Sequence, residues 1–288
     1  MRYCIALFFY ALALLLTLTA CDSMISEVEV PSSEPKLVVT GFLSPDDDTI
    51  HIVVSKSRPL NVPYQGWDYS FPVVNNARVT LSDGISTIVL PFNTPTGNYV
   101  TPSASMPVVA GNTYSLLVTT PDGYRATSSC TVPVETAPEV EITGIDSTNE
   151  YSYWSRNVSL RFRDLPGAGH FYRITAGTFY QDEYNYQSSF IETGFDRGEP
   201  YVSDKNKDGE YFLYRTWDID SYSVADTLYV SMLITDEGYY NYHRSVNTFG
   251  GDNPFAEPTP VFSNIDGGLG IFAAVNGKIT AFPLKTNK

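Results

Sequence analysis

The chain opens with an uncharged apolar run, Ile5 to Leu16, and from Lys36 onward the hydrophobic positions change to a period of two. A run of that length suits a signal-peptide core and is too short to cross a bilayer permanently. Leu37-Val38-Val39 is rich in β-branched residues. Ile50, Ile52 and Val54 then alternate with His51, Val53 and Ser55, Val79 and Leu81 with Arg78 and Thr80, and Tyr114, Leu116 and Val118 with Ser115, Leu117 and Thr119. Ile88-Val89-Leu90 stops at Pro91. Short alternations broken by Pro and Gly predict antiparallel strands with one buried face. Asp83-Gly84 and Asp122-Gly123 supply hairpin turns. No helical period appears between Lys36 and Pro133. Residues 35–137 therefore read as one immunoglobulin-like β-sandwich.

Pro133-Val-Glu-Thr-Ala-Pro138 reads as a domain boundary, because proline lacks the amide that a central strand needs. The second half, 138–288, is again strand-like. Val158, Leu160 and Phe162 alternate with polar neighbours, Tyr172, Ile174 and Ala176 share one face, and Leu228, Val230, Met232 and Ile234 share another. The period then changes. Tyr239, Tyr242, Val246 and Phe249 fall at helical spacing behind Asp236, a good N-cap, which predicts a short helix over 237–249. Leu269–Val275 and Lys278–Phe282 read as a closing hairpin turned by Asn276-Gly277. The expected fold is mainly β: an N-terminal immunoglobulin-like β-sandwich followed by a second β-rich domain with one short helix.

The end of the apolar run changes the picture. Leu18-Thr19-Ala20-Cys21 carries small residues before a cysteine, the pattern of a bacterial lipoprotein signal. Residues 1–20 then read as the signal peptide, Cys21 as the lipidation site, and 21–34 as a lipidated tether with Pro31, Ser32 and Ser33. Each buried methylene of an acyl chain such as palmitate contributes about 0.8 kcal/mol, so two or three chains anchor the protein durably. Asp22, Glu27 and Glu29 follow the cysteine, and either membrane face stays open.

Net charge is −14, and loss of Arg2 with the signal makes it one unit more negative. Such a chain offers nucleic acid no basic surface. Of the three cysteines, Cys4 lies in the signal, Cys21 would carry lipid and Cys130 is left alone in a strand-like run, where it reads as a small buried residue.

Chemistry is sparse. His51, His170 and His243 have no ligand-spaced partners in sequence, and no nucleophile elbow, zinc-protease helix or dinucleotide loop occurs. No enzyme activity is expected. Asp204, Asn206 and Asp208, followed by Gly209, match the start of a calcium loop, but Arg215 stands where the bidentate Glu belongs. A plain Asp-Gly turn is the other reading. Aromatics are dense in two places. Trp67 and Tyr69 lie on a Pro-rich loop, 58–75, that reads as a binding rim or as a lid. Tyr180, Tyr184, Tyr214 and Trp217 belong to a second set that would stack on a glycan or peptide, or serve as strand residues with one wet end.

The segment from Asn253 to Ala273, with Pro254-Phe255-Ala256-Glu257-Pro258 and Gly267-Gly268-Leu269-Gly270, resembles the end of the DUF4249 family of Bacteroidetes lipoproteins. Cys21, Glu34-Pro35-Lys36-Leu37-Val38-Val39-Thr40-Gly41 and Tyr239-Tyr240-Asn241-Tyr242-His243-Arg244-Ser245 resemble its start and its helix. The family has no established biochemical function and supplies no catalytic residues. Its members are often encoded beside TonB-dependent outer-membrane transporters. The resemblance implies a lipid-anchored outer-membrane protein, accessory to such a transporter. The alternatives are a free-standing glycan- or peptide-binding surface lipoprotein and a structural or adhesive subunit.

Overall fold

The computed structural model of the chain describes residues 34–58, 72–150, 153–181, 188–220, 225–249 and 260–284. Residues 1–33, Trp67, Tyr69 and Tyr184 lie outside them, so the readings of the signal, Cys21 and most of the 58–75 loop do too.

The chain is mainly β. The first half contributes β1 (Leu37–Leu43), β2 (Thr49–Lys56), β3 (Arg78–Ser82), β4 (Thr87–Leu90), β5 (Phe92–Asn93), β6 (Asn98–Pro102), β7 (Thr113–Thr119) and β8 (Arg125–Thr131). The second contributes β9 (Val140–Glu150), β10 (Tyr153–Arg163), β11 (Phe171–Gln181), β12 (Ser188–Thr193), β13 (Phe195–Arg197), β14 (Tyr201–Ser203), β15 (Tyr211–Thr216) and β16 (Thr227–Thr235). Helix α1 (Glu237–Thr248) and β17 (Gly268–Pro283) follow. No described helix is long and apolar enough to cross a membrane.

Among the described residues the strands form three sheets. One runs β12-β11-β16-β17-β1-β2-β6-β5, with β14 also paired to β11; the others run β13-β15-β10-β9 and β4-β3-β7-β8. Alternation dictates which side chains meet. Leu37, Val39, Ile52 and Val54 of the large sheet share a core with Val79, Leu81, Tyr114, Leu116 and Val118 of the β4-β3-β7-β8 sheet. A second core joins Tyr172, Ile174, Leu228 and Val230 to Val158, Leu160, Phe162 and Tyr214. Val132 belongs to the first core and Ala137 to the second, so the proline-flanked segment separates them.

β17 connects the two. It lies parallel to β1, with Leu37 opposite Gly268 and Leu43 opposite Ala274, and antiparallel to β16, with Thr227 opposite Pro283. Phe272 and Ala274 point into the first core, while Ile271, Ala273 and Val275 meet Tyr239 of α1 on the other face. Residues 271–275 of that strand are covered on both sides, which is why they read as a continuous apolar run.

This pairing corrects the expected closing hairpin. Asn276 and Gly277 lie in mid-strand opposite Ile234 and Leu233, with no turn between them. A side chain at 277 would run into the Met232 carbonyl and Leu233, so the glycine there serves close backbone approach. Helix α1 forms as its pattern predicts. Asp236 is the N-cap and accepts the Tyr239 amide at 2.7 Å.

Candidate functional site

Two turns meet at one end of the second core. Asp164 ends β10, Leu165–His170 turns into β11, and Asp204–Glu210 joins β14 to β15. Aspartate readily accepts backbone amides in such turns, and here each carboxylate grips the turn that is distant in sequence. Asp164 Oδ2 accepts Gly209 N–H at 2.9 Å, and Asp164 Oδ1 accepts the Tyr172 hydroxyl at 2.7 Å. That hydroxyl itself accepts Leu165 N–H at 3.1 Å. Asp204 Oδ2 accepts Gly169 N–H at 2.8 Å and His170 N–H at 2.9 Å. Asp208 Oδ1 accepts Gly167 N–H at 3.0 Å.

The imidazole of His170 lies between the two buried acids. Its Nδ1 is 3.3 Å from Asp204 Oδ2 and 3.9 Å from Asp164 Oδ1. Asp164 and Asp204 are 3 % and 4 % exposed. Among the described residues, these three are the group of His, Cys, Asp and Glu side chains close enough to share a metal ion. The structure places the three residues of the calcium-loop pattern in different surroundings. Asp204 is buried beside Asp164 and His170, whereas Asn206 and Asp208 are exposed. Asn206 sits at φ 64°, as a turn requires, and Asp208 is committed to Gly167.

A groove of about 830 Å³ opens beside this cluster, between the turns and α1; Gly169, Phe171, Asp204, Tyr240 and Arg244 line it. Arg244 donates to the Tyr240 hydroxyl at 2.8 Å, and the Tyr240 ring packs 5.0 Å from Phe171.

On the inner side of α1, His243 sits in an aromatic box. Its ring is 5.1 Å from Tyr201 and nearly parallel to it, 5.6 Å from Phe42 and 4.3 Å from Tyr239. Burial, aided by Arg173, pushes its pKa down to about 4, so the imidazole is neutral at physiological pH. Arg173 donates to the Tyr239 hydroxyl at 2.8 Å. Burial pushes that phenol up to about 12.

The aromatic set expected to face a ligand divides. Tyr214 is in the second core, 2 % exposed, between Phe162 and Phe195 at 5.9 and 5.1 Å. It is corrected from surface to core, because alternation along β15 turns Phe212, Tyr214 and Thr216 inward. Tyr180 is half-buried on β11. Trp217 is 59 % exposed beside Gly194, whose carbonyl accepts its amide at 2.9 Å. Sequence reasoning missed Phe179 and Phe190, which are 52 % and 47 % exposed and meet edge to face at 5.4 Å, with Tyr229 5.1 Å from Phe179. The signal was available: Phe179 stands at odd spacing from the buried Tyr172, Ile174 and Ala176.

The described part of the glycine-rich C-terminal segment, from 260 on, is hydrogen-bonded into the fold. Asn264 exchanges two hydrogen bonds with Phe272, at 2.7 and 2.9 Å, and Thr127 and Asp266 exchange backbone bonds at 2.9 and 2.8 Å. Asn264 and Asp266 thus close the seam between β17 and β8. No curated protein matches the chain. The model of one family, described as a domain of unknown function, matches residues 25–279, and the chain belongs to that family, DUF4249.

Proposed function

We propose that this protein is a lipoprotein of a Bacteroidetes outer membrane, anchored through Cys21, that acts as a non-enzymatic binding partner of a TonB-dependent nutrient transporter. The anchor is supported by Leu18-Thr19-Ala20-Cys21 directly behind an apolar run. The observation that carries the binding role is the exposed aromatic surface of the second half. Phe179 and Phe190 pack on each other yet keep about half their area in water. An aromatic or large aliphatic side chain gains about 1.5–3 kcal/mol on full burial, and a partner covering these half-exposed rings recovers about half of that for each. Phe179 sits on β11, whose opposite face carries Tyr172, Ile174 and Ala176 of the second core, and Phe190 stands opposite it on the paired strand β12, so the rings are presented by a hydrogen-bonded frame.

Co-purification of the lipidated protein from its native outer membrane in mild detergent, with mass spectrometry of its companions, tests this reading. A stoichiometric TonB-dependent transporter that is lost from Phe179→Ser/Phe190→Ser supports it. A lone protein, open to protease on intact cells, overturns it. That outcome favours a free-standing glycan- or peptide-binding lipoprotein, for which Trp217 is the specific observation: a flat, exposed indole suited to stacking on a sugar face.

A further inference from the structure

We propose that Asp164, His170 and Asp204 bind a divalent transition-metal ion of the zinc class, which ties the turn between β10 and β11 to the turn between β14 and β15.

The geometry comes first. One donor atom from each of the three side chains lies within 4.8 Å of the other two. Zinc holds nitrogen and oxygen donors at about 2.0–2.2 Å, which places tetrahedral donors about 3.4 Å apart. The His170 Nδ1 to Asp204 Oδ2 separation is 3.3 Å, and that to Asp164 Oδ1 is 3.9 Å. Small side-chain rotations bring all three onto one ion.

Charge balance points the same way. Both carboxylates are almost wholly buried. Among the described residues, the basic side chain within 4.0 Å of either is His170 alone. Tyr172 and the amides of Gly169, His170 and Gly209 orient the carboxylates, but they carry no net charge. Two buried carboxyl groups therefore face one imidazole, the arrangement of donors that a cation gathers. The orphaned atom is His170 Nδ1. It is sealed from solvent and has no protein hydrogen-bond partner among the described residues. With its proton on Nε2, the imidazole offers the Nδ1 lone pair to a cation held between the two carboxyl groups. The hydrogen bonds already made by Asp164 and Asp204 then form the outer layer that orients metal ligands.

The donor set selects the metal. Calcium takes six to eight oxygens, and here one of three donors is nitrogen. One imidazole with two carboxylates suits zinc and its neighbours. Three protein donors leave the fourth tetrahedral position to water. The groove lined by Gly169 and Asp204 gives the ion a path in.

The test uses the full-length protein purified without a polyhistidine tag, stripped with EDTA and titrated calorimetrically with Zn²⁺ alone and with Ca²⁺ alone. One equivalent of Zn²⁺ is expected, with a rise in Tm of several degrees, and no matching response to Ca²⁺. His170→Phe deletes Nδ1 but keeps the backbone amide that Asp204 holds and the packing against Tyr172. It should fold, lose the Tm response and weaken Zn²⁺ binding at least tenfold, while His51→Gln binds as the parent does. If His170→Phe does not fold, Asp164→Asn decides the question in the same titration, because an amide oxygen still accepts Gly209 N–H. Binding well below one equivalent, or undiminished in the folded variant, overturns the proposal.

Discussion

Asp236 and Ala274 hold each other by two hydrogen bonds: the Asp236 amide donates to the Ala274 carbonyl at 2.9 Å, and the Ala274 amide donates to Asp236 Oδ2 at 2.8 Å. The same carboxyl caps α1 through Tyr239 N–H. One side chain thus sets where the helix starts and where it sits against β17. Burial raises its pKa from 3.8 to about 6, against the amides of Tyr239, Ala274 and Gly238, which pull it down. The folded chain therefore binds this proton at a pH where the unfolded chain has released it. The stabilisation by the neutral acid is full below about pH 4 and is lost as pH rises through about 6. Two units correspond to about 2–3 kcal/mol. Asp236→Asn should remove that contribution, and Asp236→Ala should also lose the cap, about 1–2 kcal/mol. Urea unfolding at half-unit pH steps between 4 and 8 reads both.

His243 works in the same window with the opposite sign. Its pKa falls from 6.5 to about 4 on folding, so the folded chain resists a proton that the unfolded chain accepts. Its contribution is present above about pH 6.5 and is lost as pH falls toward 4. After discounting for its partial exposure, the effect is about 1–2 kcal/mol. The two residues oppose each other in the parent protein. Asp236→Asn should unmask acid destabilisation, and His243→Phe should unmask acid stabilisation. A His243→Phe profile that stays parallel to the parent between pH 4 and 6.5 would contradict this assignment.

The elements that were legible in the sequence are those whose environment matches their local pattern. β2, β7, β10 and β16 each bury one face, and Ile50-Ile52-Val54 or Leu228-Val230-Met232-Ile234 say so directly. Helix α1 is legible because Asp236 and the tyrosine spacing agree. β17 is not, since its residues 271–275 are covered on both faces and its Asn276-Gly277 imitates a hairpin turn; the pairing with β16 overrides the local preference. β15 is obscured for another reason. Tyr211 points out and Phe212 in, so aromatic residues on both faces blur the period. The Asp164–His170–Asp204 cluster could not be read in line, because some forty positions separate its first and last members and only the packing of two turns joins them. What sequence did carry was Asp204 itself, grouped there with its neighbours Asn206 and Asp208.

Gly270 is a position where substitution should be severe. Its φ is 108°, and a Cβ there would fall on the Val39 carbonyl across the parallel pairing of β1 with β17. Gly270→Ala meets both an unfavourable backbone region and a steric block that neither strand can relieve without breaking the seam. A loss of about 3 kcal/mol or more is expected. Gly84→Ala, also at positive φ but in open space, should lose only about 1 kcal/mol. Equal losses in chemical denaturation would mean that β1 and β17 are not held together as described.

Arg156 and Asp220 form a buried bidentate pair, with Nε to Oδ2 at 2.5 Å and a terminal nitrogen to Oδ1 at 2.7 Å; that nitrogen also donates to the Ala225 carbonyl. The side chains are 7 % and 1 % exposed. Desolvating two ions costs nearly as much as their attraction returns, so the pair adds little net stability, but an unmatched member is costly. Asp220→Ala should therefore destabilise by about 3–5 kcal/mol, because it strands the guanidinium and also removes the acceptor of Ala225 N–H. Arg156→Met alone should cost a comparable amount by stranding the carboxylate. The double variant Arg156→Met/Asp220→Ala removes both charges, and its loss should be clearly smaller than the sum of the single losses. A double-mutant cycle in urea measures that difference directly. Strict additivity would mean that the two side chains do not form a pair in the folded protein, and that the anchoring of Ala225 to β10 must come from elsewhere.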